Sequence, residues 1–222
     1  MDWSALKLSL LLSAWTSLVL IVVGLGIART LAWRQFPGKS VVESLVTLPL
    51  VLPPTVLGFY LLTLFSNESW LGRSFVEITG DTLAFSFFGL LVASVIYSLP
   101  FAVQPMLRGF ESIPKSYREA AWCSGLSNWE TFRRVELPLA WPGVVSGIAM
   151  SFAHTMGEFG VVLMVGGNIP GETRTISIAI YDRTQALDNA SANSMSLVLL
   201  VFALCAISLV YALNRRLERR DE

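Results

Sequence analysis

Residues 8–28, 44–67, 82–107, 137–157 and 189–214 each run without a formal charge, and each is long enough to cross a bilayer. A spanning helix takes about 20 apolar residues. The fourth stretch is interrupted only by Glu158 and stays uncharged to Gly171, so its span is expected at about 140–165. Only 14% of the 222 residues are charged, against roughly 25% in a soluble domain. Lipid is therefore the expected solvent, and the expected fold is an all-α integral membrane protein of one domain, residues 1–222, with five spans. The first stretch is longer than the 7–15 apolar residues of a typical leader and ends in no clear small-x-small cleavage site, so we read it as a span.

Five spans put the termini on opposite sides. Arg29, Arg34 and Lys39 follow the first span; Arg108, Lys115, Arg118, Arg133 and Arg134 follow the third; Arg215, Arg216, Arg219 and Arg220 follow the fifth. The other side holds Lys7, Arg73, Arg174 and Arg183. The positive-inside rule then sets the N-terminus outside and the C-terminus in the cytoplasm.

The spans carry residues that break soluble helices. The second reads TLPLVLPPTVLGFY, with Pro49, Pro53, Pro54 and Thr55 before Gly58, and the third contains Pro100 and Pro105. Proline removes a backbone donor and crowds the preceding turn. Broken backbone survives in lipid only where protein or a water-filled cavity satisfies it. Two readings stay open: kinks that improve packing, or the lining of a path or gate.

Between spans three and four, residues 112–138 turn polar and charged. Ser112 precedes IPKSYREAAWCS, which can form a helix from Pro114 to Ser124, and Gly125 suits a left-handed C-terminal cap. Ser127 and Glu130 have capping-box spacing, so a second short helix is expected there, running through NWETFRRV until LPLAWP stops it. Trp122, Leu126, Trp129 and Phe132 are then partly uncovered. They can lie on the protein's own span ends, or form a docking surface, since aromatics beside arginines typify hot spots.

Glu119-Ala120-Ala121, Gly125, Val135 and Leu137-Pro138 resemble the EAA loop of ABC-importer permeases, with valine for the usual isoleucine. The resemblance implies that this loop is a coupling helix seated on a cytoplasmic ATPase. Pro49–Gly58 and SFAHTMGEFGVVLMVGGNIPGETRT, residues 151–175, resemble molybdate-transporter permeases, with sulfate permeases similar. The chain departs from that pattern at His154 and Val161, where many members carry Arg and Ala. The resemblance implies a homodimer in the bacterial inner membrane, two ATPase subunits that bind ATP and Mg, and a periplasmic oxyanion-binding protein. It implies no cofactor and no catalytic residue in this chain. Molybdate is the expected substrate, with tungstate or sulfate as alternatives.

His154 and Glu158 lie i, i+4 on one helical face and can touch. An intramembrane carboxylate is costly and is a functional candidate by default. An unpaired Glu158 in an anion route would repel its cargo, so we expect it to have a partner or to sit at the rim, whether it braces the gate or takes part in transport. Gly160 follows in the same stretch. In the outer loop, Gly167, Asn168, Pro170, Gly171 and Arg174 either offer N–H groups and a guanidinium to an oxyanion or form a turn that meets the delivery protein.

Other classes have less support. Net charge is zero, which leaves no field for nucleic acid. One histidine and two isolated cysteines, Cys123 and Cys205, make no metal spacing. No Walker or G-x-S-x-G pattern occurs. An intramembrane enzyme would need more polar groups around His154 and Glu158. An ATP-independent channel or secondary transporter would leave the EAA spacing without a role.

Overall fold

The computed structural model describes residues 1–218, and every regular element in them is helical. Arg219 and Arg220, two of the basic residues used above to orient the chain, lie outside the described residues.

Helix α1 spans Trp3–Trp33, with the Asp2 carboxylate capping the Ala5 N–H. Its inward face mixes small and hydroxyl-bearing residues with Leu8, Leu12, Leu20 and Leu31. Ser9, Ser13, Thr16, Ser17, Gly24 and Ala28 are buried, while Leu11, Trp15, Leu18 and Val22 are exposed. Small residues let backbones approach where lipid supplies no hydrophobic drive between helices.

The second uncharged stretch is not one straight helix. Helices α2, Lys39–Val51, and α3, Pro54–Phe65, meet at 112°. Pro54 lacks the N–H that would continue α2, and Leu52 and Pro53 are extended. A short helix α4, Trp70–Thr79, follows, capped by Ser69 and ended by left-handed Gly80. Helix α5, Phe87–Glu111, starts five residues later than residue 82 and runs four past 107, absorbing Pro100 and Pro105.

Helix α6, Lys115–Cys123, ends in a Schellman motif: Gly125 has φ +81°, its N–H donates to the Trp122 carbonyl, and the Leu126 N–H donates to Ala121. Helix α7, Asn128–Thr131, opens with the Ser127–Glu130 capping box. Contrary to the expectation from LPLAWP, it does not stop there. A π-helical turn, Phe132–Glu136, carries it into α8, Leu137–Gly157, making one continuous helix Asn128–Gly157. The Leu137 N–H reaches back five residues to Phe132. The wider turn removes the i→i−4 bond that Pro138 could not make.

The expected span 140–165 also breaks. α8 ends at Gly157, Glu158 is extended, and α9 covers Gly160–Gly166. α10, Ile176–Gln185, and α11, Asn189–Glu218, complete the chain. Among the described residues, four helices are long and apolar enough to cross a membrane, with the bent α2–α3 pair a fifth span if it counts as one. α1, α5 and α8 form the centre, around Leu20, Ala102, Met106, Phe110 and Val144. Leu197, Leu200, Val201 and Leu204 leave much of α11 exposed and apolar, as a lipid-facing helix requires.

Candidate functional site

Three groups of polar residues stand out in this bundle. The first is the helix–turn–helix segment. Glu119, Ala120, Gly125 and Pro138 are exposed, Leu137 is half-buried, and Ala121 is buried against the bundle. Trp129, Tyr117 and Trp122 are exposed beside them, at 66%, 53% and 44%. Ser127 holds the Glu130 carboxyl below the usual carboxylate range, first through its backbone N–H and then through its hydroxyl.

Glu136 anchors this segment and was not singled out from the sequence. Its side chain has no exposed surface, and it accepts hydrogen bonds from Arg29 Nε at 2.6 Å, Arg29 Nη2 at 3.3 Å and Arg118 Nε at 2.8 Å. One buried carboxylate therefore joins α1, α6 and the π turn. Arg118 also stacks over Trp33 and Trp122, and Arg29 over Phe132. The local cue for Glu136 was only a charge between Val135 and Leu137; its arginines lie 107 and 18 residues away.

The second group surrounds the two helix breaks. The Glu158 carboxylate accepts the Val161 N–H at 2.9 Å, three residues on, as an N-cap does. Glu158 is buried and His154 Nε2 lies 3.9 Å from its other oxygen, so it has the partners expected. His154 Nδ1 meets Ser98 Oγ at 3.0 Å, Ser98 meets Thr155 Oγ1 at 2.9 Å, and the imidazole stacks on Phe101 at 3.9 Å between centroids.

The prolines come to the same place. α3 packs on α9, and a Cβ on Gly160 would lie 2.5 Å from Pro54 Cβ. A Cβ on Gly58 would lie 2.7 Å from Met164 Cβ. The two breaks are thus seated against each other, with Thr55 exposed beside Pro54. Pro49 is buried in α2, one residue before Leu50. Leu50 lines a cavity of about 420 Å³ with Phe101, Gln104, Arg108 and Met150. Tyr97, Phe101, Gln104 and Arg108 follow i, i+4, i+7, i+11 spacing on α5. Phe101 therefore links His154 to a more polar stretch that the sequence reading passed over.

In the loop after α9, Gly167 and Gly171 take φ +64° and +82°, and Pro170 is exposed. Arg174 donates to Asn168 Oδ1 at 2.6 Å and lies 3.6 Å from Asp182 and 4.0 Å from Asp2, while Asn168 donates to Asp182 at 2.7 Å. Its charge is engaged inside the loop. The Asp2 carboxyl lies below its usual range, chiefly through the Ser4 hydroxyl, with Arg174 a smaller cause.

Among solved structures, a bacterial ABC transporter involved in the import of the acidic polysaccharide alginate superposes with a TM-score of 0.75, at 19% identity over 96% of this chain and 78% of that one. The MetNI methionine ABC transporter matches at 0.72 and 16%, over 96% and 94%. These likenesses concern the fold. In sequence, the molybdenum transport system permease protein ModB of Azotobacter vinelandii is 43% identical over 96% of this chain and 95% of its own length. ModB of Escherichia coli K12 is 35% identical over 94% and 91%. A probable sulfate transport system permease protein cysT of Chlorella vulgaris is 34% identical over 94% and 78%. Residues 20–220 match the family described as binding-protein-dependent transport system inner membrane component. The chain belongs to that family: it is a non-catalytic inner-membrane permease component whose transporter binds ATP in separate subunits.

Proposed function

We propose that this chain is the permease of a molybdate ABC importer, working as a homodimer with one ATPase subunit on each 112–138 segment and a periplasmic oxyanion-binding protein above. It acts as one transmembrane unit of five spans, the bent α2–α3 pair counting as the second, with the N-terminus outside and the C-terminus in the cytoplasm. The observation that carries the reading is the EAA segment itself. Its glycine turn, capping box and exposed Trp129 form a polar knob continuous with a spanning helix. Exposed aromatics beside arginines on such a knob suit a docking element.

Glu119, Ala120, Ala121, Gly125, Leu137 and Pro138 serve coupling. Pro49, Pro53, Pro54, Thr55, His154, Glu158 and Gly160 line the pathway or its gate, where helices broken in mid-span expose backbone groups and a helix N-terminus toward an anion. Gln104 and Arg108 continue that route toward the coupling end. Glu158 braces the gate by capping α9. Gly167, Asn168, Pro170, Gly171 and Arg174 form a rigid turn that meets the delivery protein.

The test is uptake of labelled molybdate into vesicles containing the chain, its ATPase and binding protein, with and without ATP. ATP-dependent uptake blocked by tungstate but not by sulfate is the expected result. Uptake abolished by sulfate would move the substrate to the one named for the Chlorella relative, and uptake without ATP would overturn the ABC reading. Gly125→Val, which puts a β-branched residue into a left-handed turn, and Glu119→Lys both abolish uptake while the chain still inserts. Normal uptake in both would sink the docking role.

A further inference from the structure

A cavity of about 250 Å³ opens where the end of α1 meets α6, and its walls include Arg29, Trp33, Arg34, Arg118, Trp122 and Asn128. It lies on different elements from the His154–Glu158 pathway. Three guanidinium groups share it, and the one carboxylate hydrogen-bonded to any of them, among the described residues, is Glu136. The walls therefore carry an excess of positive charge.

The donors in these walls are arranged and unused. Arg118 is held between two indole rings, its guanidinium carbon 4.2 Å from the Trp33 centroid and 4.8 Å from that of Trp122, while its Nε is committed to Glu136. Its plane is fixed and its two terminal amino groups have no hydrogen-bond partner among the described residues, so a fork of donors is presented without further loss of side-chain freedom. Arg34 has no partner among the described residues either. The Trp33 indole N–H is buried without one, and a buried orphan donor calls for an acceptor. The free guanidinium donors of Arg34 and Arg118 suit a group that only accepts, from several oxygens at once.

We propose that this cavity binds a tetrahedral phosphate-class oxyanion, carried by an anionic lipid headgroup or free in solution. The position admits both sources. Arg29 directly follows the apolar run of α1, the level at which basic residues meet lipid phosphates, and the cavity is also open to solvent. Bound there, the anion bridges Arg34 on the α1 end to Arg118 on α6, and so ties the docking segment to the first span. This site is separate from the route of the transported cargo, whichever anion that route carries.

The experiment uses the assembled transporter in nanodiscs. In one arm the lipid is an equal mixture of phosphatidylglycerol and phosphatidylcholine, and native mass spectrometry reads which lipid is retained on the permease. In the other the lipid is phosphatidylcholine alone, and equilibrium dialysis reads binding of radiolabelled inorganic phosphate. Selective retention of phosphatidylglycerol supports the site with a headgroup as its source; saturable phosphate binding supports it with the free ion. Arg34→Gln weakens the responding arm by about tenfold, the scale of one charge-assisted hydrogen bond. Arg118→Lys, which keeps the charge and loses the fork, weakens it at least as much. Should Arg118→Lys fail to assemble, Arg34→Gln decides, since Arg34 holds no other contact among the described residues. Neither probe binding above the phosphatidylcholine level, or binding unchanged in Arg34→Gln, overturns the proposal.

Discussion

The Glu136 carboxylate has no exposed surface and is met by two guanidinium groups, so removing it leaves two charges without their partner in the 112–138 segment. Glu136→Ala removes three charge-assisted hydrogen bonds and leaves Arg29 and Arg118 facing each other. Breaking a buried pair by removing one partner costs roughly 3–5 kcal/mol. Thermal unfolding of the purified chain should show that loss, with Glu136→Gln intermediate; an unchanged midpoint would mean the carboxylate anchors nothing. Glu130 behaves differently because it is exposed. Its folded pKa is lowered by the Ser127 N–H and hydroxyl, so its contribution is present above the unfolded carboxylate pKa and fades as pH falls through the lower folded value. The stability gap between wild type and Glu130→Gln should be open at neutral pH and close in acid, read as the difference between two melting curves; a gap that widens in acid would refute the assignment.

Between α5 and α8 the packing is backbone on backbone. A Cβ at Gly143 would lie 2.5 Å from the Pro105 carbonyl and 3.0 Å from Gly109 Cα, and one at Gly147 would lie 2.6 Å from the Ala102 carbonyl. Gly143→Leu must therefore force the two helices apart, an overpacking that costs about 1–3 kcal/mol or more, while Gly26→Leu, with nothing near its Cβ, should be tolerated. Melting of both variants in detergent checks the contrast. The docking segment was legible in the sequence because its signals are local: Gly125 and the Ser127–Glu130 box act over three or four residues and took the expected conformations. The α2–α3 bend was not, because hydropathy averages over a stretch and cannot tell one span from two helices meeting at 112°. The prolines marked where the chain could break, not whether it did. At LPLAWP they misled in the opposite sense, since a π turn upstream accommodated Pro138. Helices α4 and α10 went unread, being short and neither charged nor apolar enough to stand out. At the pathway, His154 and Glu158 were visible as i, i+4 neighbours, whereas Ser98 and Phe101 join them only through the packing of α5 on α8.

At the scale of the whole molecule, the docking segment and the Arg174 loop lie near opposite ends of α1: Arg29 meets Glu136, and Asp2 meets Arg174. The proposed orientation can be read with the native thiols. Cys123 is exposed beside the Gly125 turn, and Cys205 lies in the apolar stretch of α11. A membrane-impermeant maleimide applied to a Cys205→Ser variant should leave Cys123 unlabelled in intact cells and label it in inverted vesicles; the reverse pattern would place the docking segment outside. One feature of the fold then takes on mechanical meaning. Because the π turn keeps Asn128–Gly157 a single helix, the exposed Trp129 and the break at Glu158 sit at the two ends of one rod about 45 Å long. A displacement of about 4 Å at one end of a helix of that length corresponds to a turn of about 5°. Under the proposed coupling, a push at Trp129 arrives where the helix stops, at the carboxylate that accepts the Val161 N–H, so the place where the chain breaks is also the place where the lever would act.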